Sequence, residues 1–150
     1  MPNQVFLDTN ILVYSRDEAS PFFDKVIKTI EGLVVNKATL CIHKQVLREY
    51  ACVATRAAPN GLGATTERAL REIEEFEAAY HVLPDYEGIW PIWKQLVKSN
   101  GVKGLRIHDA YIAAVMIGYN IPSILTLNTE DFQCFQEIKP ITPDTWYEIL

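Results

Sequence analysis

Four carboxylates stand where apolar runs stop or begin: Asp8 after Val5-Phe6-Leu7, Glu49 beyond Leu40-Cys41-Ile42, Asp109 ahead of a long apolar stretch, and Asp131 beyond Ile124-Leu125. Each has an ordinary reading by itself. Asp8 and Asp109 are suitable helix N-caps, and Glu49 suits a solvated helix face or a first turn where the helix dipole favours an acid. The reading changes if the apolar runs are neighbouring parallel strands, because strand ends and helix starts then converge on one edge of the sheet. Carboxylates gathered there repel, and a cation or a proton must offset the repulsion. An all-oxygen donor set selects hard ions, Mg2+ or Mn2+, rather than zinc. Such an ion can activate water and stabilise the charge developing on a phosphate. The chemistry implied is phosphodiester hydrolysis.

The elements that must position these acids are legible in the patterning. Residues 5–7 read as a buried strand and 11–14 as a short helix. Ser20 is a plausible N-cap with Pro21 at the first helical position, opening a helix whose apolar residues recur at helical spacing until Gly32. Residues 38–42 predict a second strand and 43–56 a second long helix carrying Glu49. A proline- and glycine-containing loop, 57–63, precedes a charged amphipathic helix from Thr66 to Phe76. Residues 81–84 suggest a short strand. A helix over 86–98 places Trp90 and Trp93 in the core, with Pro91 restricted to its first turn. A helix apolar on most sides follows Asp109 up to about Gly118, as a helix buried between layers should be. Strands over 121–126 and 138–141 and a helix over 143–150 close the chain. The β-α-β-α order predicts an α/β fold.

The length suits one domain spanning residues 1–150, and the content of 49% hydrophobic and 22% charged residues is that of a globular chain. A formal charge of −5 argues against a uniformly basic nucleic-acid-binding face. It does not exclude a metal-dependent nuclease, whose clustered acids contribute to that negative total. Met1-Pro2-Asn3-Gln4 leads into the first strand without a basic, apolar signal sequence, and no apolar run approaches the roughly 20 residues that span a bilayer. A cytoplasmic protein is expected. Three cysteines without a Cys-x-x-Cys pair argue against a disulfide framework or a structural zinc site. The three histidines lack the zinc-protease spacing, and there is no nucleophile elbow or glycine-rich phosphate loop.

The segments Phe6-Leu7-Asp8-Thr9-Asn10-Ile11-Leu12, Gln45-Val46-Leu47-Arg48-Glu49-Tyr50, Ile107-His108-Asp109-Ala110-Tyr111-Ile112-Ala113-Ala114 and Leu125-Thr126-Leu127-Asn128-Thr129-Glu130-Asp131-Phe132 resemble, in order and spacing, the successive motifs of PIN-domain ribonucleases. They are most similar to those of the VapC-like toxins of toxin-antitoxin pairs. The resemblance covers nearly the whole chain. It implies a Rossmann-like three-layer fold with a central, mostly parallel sheet flanked by helices, and an Mg2+- or Mn2+-dependent endoribonuclease. It further implies an RNA substrate, a homodimer and a cognate antitoxin. Carried over residue by residue, it makes Asp8, Glu49 and Asp109 the principal metal-binding and catalytic acids, with Thr9 and Asn10 in support. Many relatives carry an acid where this chain has Asn128, so Asp131 is the expected fourth ligand, with Asn128 supporting through its carbonyl oxygen.

Arg48, Arg56, Lys98, Lys103, Arg106 and His108 flank these motifs and are candidates for RNA contact, each otherwise a solvated surface group. A rival reading is a catalytically weak or inactive PIN-like module that binds RNA or protein. An aspartate-based phosphotransfer protein fits less well: a phosphatase of that kind wants an acid where Asn10 stands, and a receiver wants an acidic pair before its phosphorylated strand end.

Overall fold

A computed structural model describes residues 3–150; Met1 and Pro2, the first residues of the segment read as lacking a signal sequence, lie outside it. In chain order the elements are β1 (Gln4–Leu7), α1 (Thr9–Tyr14), α2 (Phe23–Val35), β2 (Thr39–Ile42), α3 (Lys44–Thr55) and α4 (Thr66–Ala79). They continue as β3 (His81–Val82), α5 (Ile89–Asn100), α6 (Arg106–Gly118), β4 (Ser123–Leu125) and β5 (Lys139–Ile141). The five strands form one sheet in the order β3-β2-β1-β4-β5, and every neighbouring pair is parallel.

β1 is central because its residues are apolar on both faces: Val5, Phe6 and Leu7 are all fully buried, as a parallel strand covered on both sides requires. Phe6 pairs with Cys41 on one side and Ile124 on the other. Among the helices, α3 packs on α1 and α4, and α5 packs on α6. The expectation for α6 holds, with Ala110 and the whole run from Ile112 to Met116 buried.

Four local expectations need correction. Gly32 does not end α2, which runs on to Val35. The glycine instead admits the Trp146 ring, since a Cβ there would lie 2.4 Å from Cη2 of that side chain. Ser20 accepts a hydrogen bond from the Phe22 amide at 3.1 Å in the turn before α2, so it orders the approach rather than capping the helix. Trp90 is not core: it is 55% exposed, one residue out of phase with the Ile89-Trp93-Leu96 stripe, and its ring tilts against that of Trp93 at 4.7 Å between centroids. The closing segment is only a 3-10 turn, Trp146–Ile149. Thr145 Oγ1 accepts from the Thr142 amide at 2.9 Å and forms a side-chain turn that leaves too few residues for an α-helix. Among the described residues no helix is long and apolar enough to cross a membrane.

Candidate active site

From β1 the chain steps outward to β2 and β3, then returns to the other side of β1 for β4 and β5. The direction of winding therefore switches at the carboxyl end of β1, where an open parallel sheet forms a crevice. Asp8 is the residue there. Its extended backbone (φ −74°, ψ 160°) caps α1, and its Oδ1 accepts from the Thr9 amide at 2.8 Å. Capping and lining the crevice prove compatible, because Oδ1 takes only that one donor, while Oδ2 is held from the β4 side, accepting from Thr126 Oγ1 at 2.7 Å and Asn10 Nδ2 at 3.3 Å. Asn10 Oδ1 in turn accepts from the Leu127 amide at 3.2 Å, tying the β1 end to the β4 end.

Glu49 lies well inside α3 rather than in its first turn, and reaches the crevice through its length. Thr9 Oγ1 donates to its Oε2 at 2.7 Å, and Gln45 Nε2 donates to its Oε1 at 3.1 Å. The same Gln45 Nε2 also donates to the His108 carbonyl at 3.1 Å, linking α3 to the start of α6. Asp109 is in the first turn of α6 but is not its cap; Leu105 occupies that position, so the cap reading fails for this residue. Asp131 ends a 3-10 turn, Thr129–Asp131, and Arg106 holds that turn against α6 by donating to the Asp131 carbonyl at 3.1 Å.

Asp8, Thr9, Asn10, Glu49, Asp109, Asn128 and Asp131 thus line one cavity of about 280 Å3. No ion pair of the described residues involves any of its four acids: the pairs are Arg16 with Glu72 and Glu75, Lys25 with Asp144, His43 with Asp85, and Arg68 with Glu72. The consequence appears in the proton affinities. Asp8 is pushed up to about 6, first by burial and then by the charges of Glu49 and Asp131, against the opposing hydrogen bonds from Thr126 and Thr9. Asp109 is pushed up to about 7, first by burial and then by Asp131, Asp8 and Glu49, with Arg106 only partly offsetting them.

Among the described residues, no three His, Cys, Asp or Glu side chains already close on a single metal position. The donor chemistry nonetheless fits a hard cation. Asp8 Oδ1 and both Glu49 oxygens are each engaged by one protein donor, so each keeps accepting capacity toward the cavity. The set is entirely oxygen, and among the described residues no ion pair compensates its charge, which Arg106 offsets only in part.

The six basic and histidine candidates separate. Arg48 and His108 line a neighbouring cavity with Trp90 and Trp93. Arg106 sits at the acids and occupies one guanidinium nitrogen on the 3-10 turn. Arg56, Lys98 and Lys103 line neither the acid cavity nor the cavities beside it.

Sequence reasoning missed two supporting side chains, Gln45 and Thr126. Thr126 is fully buried and serves three partners, donating to Asp8 and accepting from the Asn128 amide at 3.0 Å and Asn10 Nδ2 at 3.3 Å. The available signal was a hydroxyl closing the apolar run of β4. Thr126→Val, which keeps the shape and removes the hydroxyl, is expected to cost about 1–3 kcal/mol of stability by leaving buried groups unpaired. It should also raise the Asp8 pKa further, because a hydrogen bond favouring the carboxylate is lost. Thermal unfolding and a carboxyl-resolved NMR titration check both; an unchanged Asp8 titration would contradict the second.

Comparison with known proteins bears on this arrangement. The family model described as "PIN domain" matches residues 5–138. Ribonuclease VapC48 of Mycobacterium tuberculosis is 27% identical over 134 residues, covering 88% of this chain and 92% of the relative. Among solved structures, VapBC2 from Rickettsia felis, bound to a DNA fragment from its promoter, has a TM-score of 0.70 at 20% identity, over 93% of this chain and 98% of that one. A toxin-antitoxin complex from Klebsiella pneumoniae has a TM-score of 0.64 at 18% identity, over 93% and 97%. Because the family model runs from β1 to the threshold of β5, and so takes in every element that delivers an acid to the crevice, this chain belongs to the PIN domain family.

Proposed function

We propose that the chain is a metal-dependent endoribonuclease, acting as the toxin of a toxin-antitoxin pair, with residues 1–150 forming one catalytic domain. The observation that carries this reading is the convergence of four carboxylates on one cavity, with no ion pair among the described residues to neutralise them. The name of the Mycobacterium tuberculosis relative, a ribonuclease, supports it.

Asp8, Glu49, Asp109 and Asp131 are the proposed ligands of Mg2+ or Mn2+. When bound, such a cation would supply charge neutralisation for the phosphodiester and acidify an attacking water. The chain's own residues fix the acids. Thr126, Asn10 and the Thr9 amide hold the Asp8 carboxylate in one orientation, and Thr9 Oγ1 with Gln45 holds Glu49. Prealigned groups of this kind need little reorganisation when charge develops. Arg106, beside the acids, is the best placed of the candidates for phosphate contact, with Arg48 and His108 in a separate cavity and Arg56, Lys98 and Lys103 as further ones. The neighbouring solved complexes support an antitoxin partner, and a homodimer is proposed with it.

The test is to incubate the purified chain with structured RNA in Mg2+ or Mn2+, then in chelator. Cleavage with metal and none in chelator is expected. RNA binding without cleavage in either metal, across several RNAs, would replace the reading with a PIN-like binding module.

A further inference from the structure

A second cavity, of about 360 Å3, opens beside the acid cavity and shares Asn10, Tyr14 and Asn128 with it. Its outer wall is aromatic, with an ion pair at the rim. Phe22 is 43% exposed, and its ring tilts against Tyr14 at 5.2 Å between centroids. Lys25 stands at the rim, paired with Asp144 at 3.1 Å on an exposed surface. On the shared wall, the Asn128 backbone amide is bound to Thr126, but its side-chain amide has no hydrogen-bond partner among the described residues.

Resting on the ribonuclease reading, we propose that this cavity is a nucleobase subsite. It receives the unpaired base of the nucleotide next to the phosphodiester held at the acids. Three observations point to this occupant. The continuity of the two cavities through Asn10, Tyr14 and Asn128 puts the second one within reach of a single nucleotide whose phosphate lies in the first. Its volume lies at the lower end of small-molecule sites, about 300 Å3 and upward, which suits a base rather than a helix or a folded segment. Its chemistry is also that of base recognition: an exposed aromatic face for stacking, and a free amide carrying one acceptor and two donors for a base edge. Asn128 thereby acquires a role suited to an amide. A carboxylate at that position could not donate to a base, whereas the amide can both donate and accept.

The subsite implies a single-stranded substrate, because a base must be splayed out to enter, and a base preference at the cut. The experiment has two arms. In chelator, the wild-type protein is titrated with the four nucleosides, which carry no phosphate and need no cation, and with inorganic phosphate as control, followed by NMR. Shifts at Phe22, Tyr14 and the Asn128 side-chain amide with a nucleoside, and none with phosphate, are expected. In the second arm, cleavage of short single-stranded RNAs is compared for wild type, Phe22→Ala and Asn128→Ala. Phe22→Ala should raise KM about tenfold, with a smaller change in kcat, through the loss of one stacked base. Asn128→Ala should flatten the base preference beside the cut.

Nucleosides silent at these residues, together with wild-type KM and base preference in both variants, would overturn the subsite while leaving the nuclease reading intact. Conversely, a wild type that cuts no RNA but shifts these residues with nucleosides defeats the nuclease reading and supports the base site. If Phe22→Ala leaves RNA cleavage untouched and instead weakens a co-purifying protein partner, the cavity belongs to that partner and the proposal fails.

Discussion

Asp8→Asn is expected to lower metal-dependent RNA cleavage by about a thousandfold with little change in stability. The size follows from what the substitution removes: one full charge from the set facing the cavity, at the residue that Thr126, Asn10 and the Thr9 amide hold most tightly. Loss of a single prealigned electrostatic group at a reacting centre costs roughly 10^2–10^3 in rate, and an acid that also holds the cation belongs at the top of that range or above. The fold should tolerate the change. Asparagine still offers an oxygen to the Thr9 amide and keeps the α1 cap. Thr126 Oγ1, already accepting from the Asn128 amide and Asn10 Nδ2, loses its acceptor, a cost opposed by the removal of a charge that burial disfavours. Asn10 Nδ2 then faces a donor instead of an acceptor, which costs about 1 kcal/mol. Glu74→Gln, on the exposed face of α4, is the control for a general loss of negative charge and should cleave as wild type does. Rates come from single-turnover cleavage under saturating Mg2+ or Mn2+, with circular dichroism to verify folding. A folded Asp8→Asn protein within threefold of the wild-type rate would remove Asp8 from the reacting centre.

What the sequence made legible follows from how local each signal is. Asp8 could be placed because Val5-Phe6-Leu7 is a continuous apolar run of strand length and the acid ends it. The central position of β1 was not legible, because β2 ends at Ile42 and β4 at Leu125 without an acid, and strand order is set by pairing between distant segments. Glu49 was legible as part of a motif but not from position, since it sits in the body of α3 where a surface glutamate is commonplace. Thr126 and Gln45 escaped for a different reason. Thr126 acts on Asp8 from 118 residues away, and one of Gln45's two acceptors, the His108 carbonyl, is 63 residues away. Nothing in a linear pattern encodes such a pairing. The misplacement of Trp90 has the same origin at shorter range: two tryptophans three residues apart look alike in a periodic pattern, and only the packing of α5 on α6 decides that Trp93 faces inward. Gly32 shows the reverse case. A glycine that reads as a helix stop is explained by the Trp146 ring lying against it, far along the chain.

Asp109→Asn should make the metal-free protein more stable at neutral pH, and the gain should vanish in acid. Asp109 has a folded-state pKa of about 7 against an ordinary 3.8, so its folded value is raised, unlike that of a carboxylate in an ion pair. Between about pH 4 and pH 7 the folded chain holds a proton that the unfolded chain has released. Stability therefore falls as pH rises through that window, and is independent of this group below and above it. The amide that replaces the carboxyl carries no such charge at any pH. The variant should match wild type at pH 4 and exceed it by about 1–2 kcal/mol at pH 8, once solvent screening of a half-buried group is allowed for. For a chain of this size that corresponds to roughly 2–8 °C in Tm. Asp8, raised to about 6, adds a fall of the same sign in both proteins, and because its charge is among those that raise Asp109, the difference between the two includes the relief of that repulsion. Adding Mg2+ or Mn2+ should reverse the order: a cation that binds only the folded state stabilises it by mass action, and wild type, with the full set of acids, gains more. Stability and function are connected here through one quantity. The burial and mutual repulsion that weaken the metal-free fold would both be offset by a divalent ion, so a site that takes a cation is under stress without it. Thermal melts of both proteins from pH 4 to 8, in chelator and then in metal, read it directly. A stability difference that stays constant across pH, or that metal leaves unchanged, would mean that Asp109 is an ordinary first-turn acid of α6.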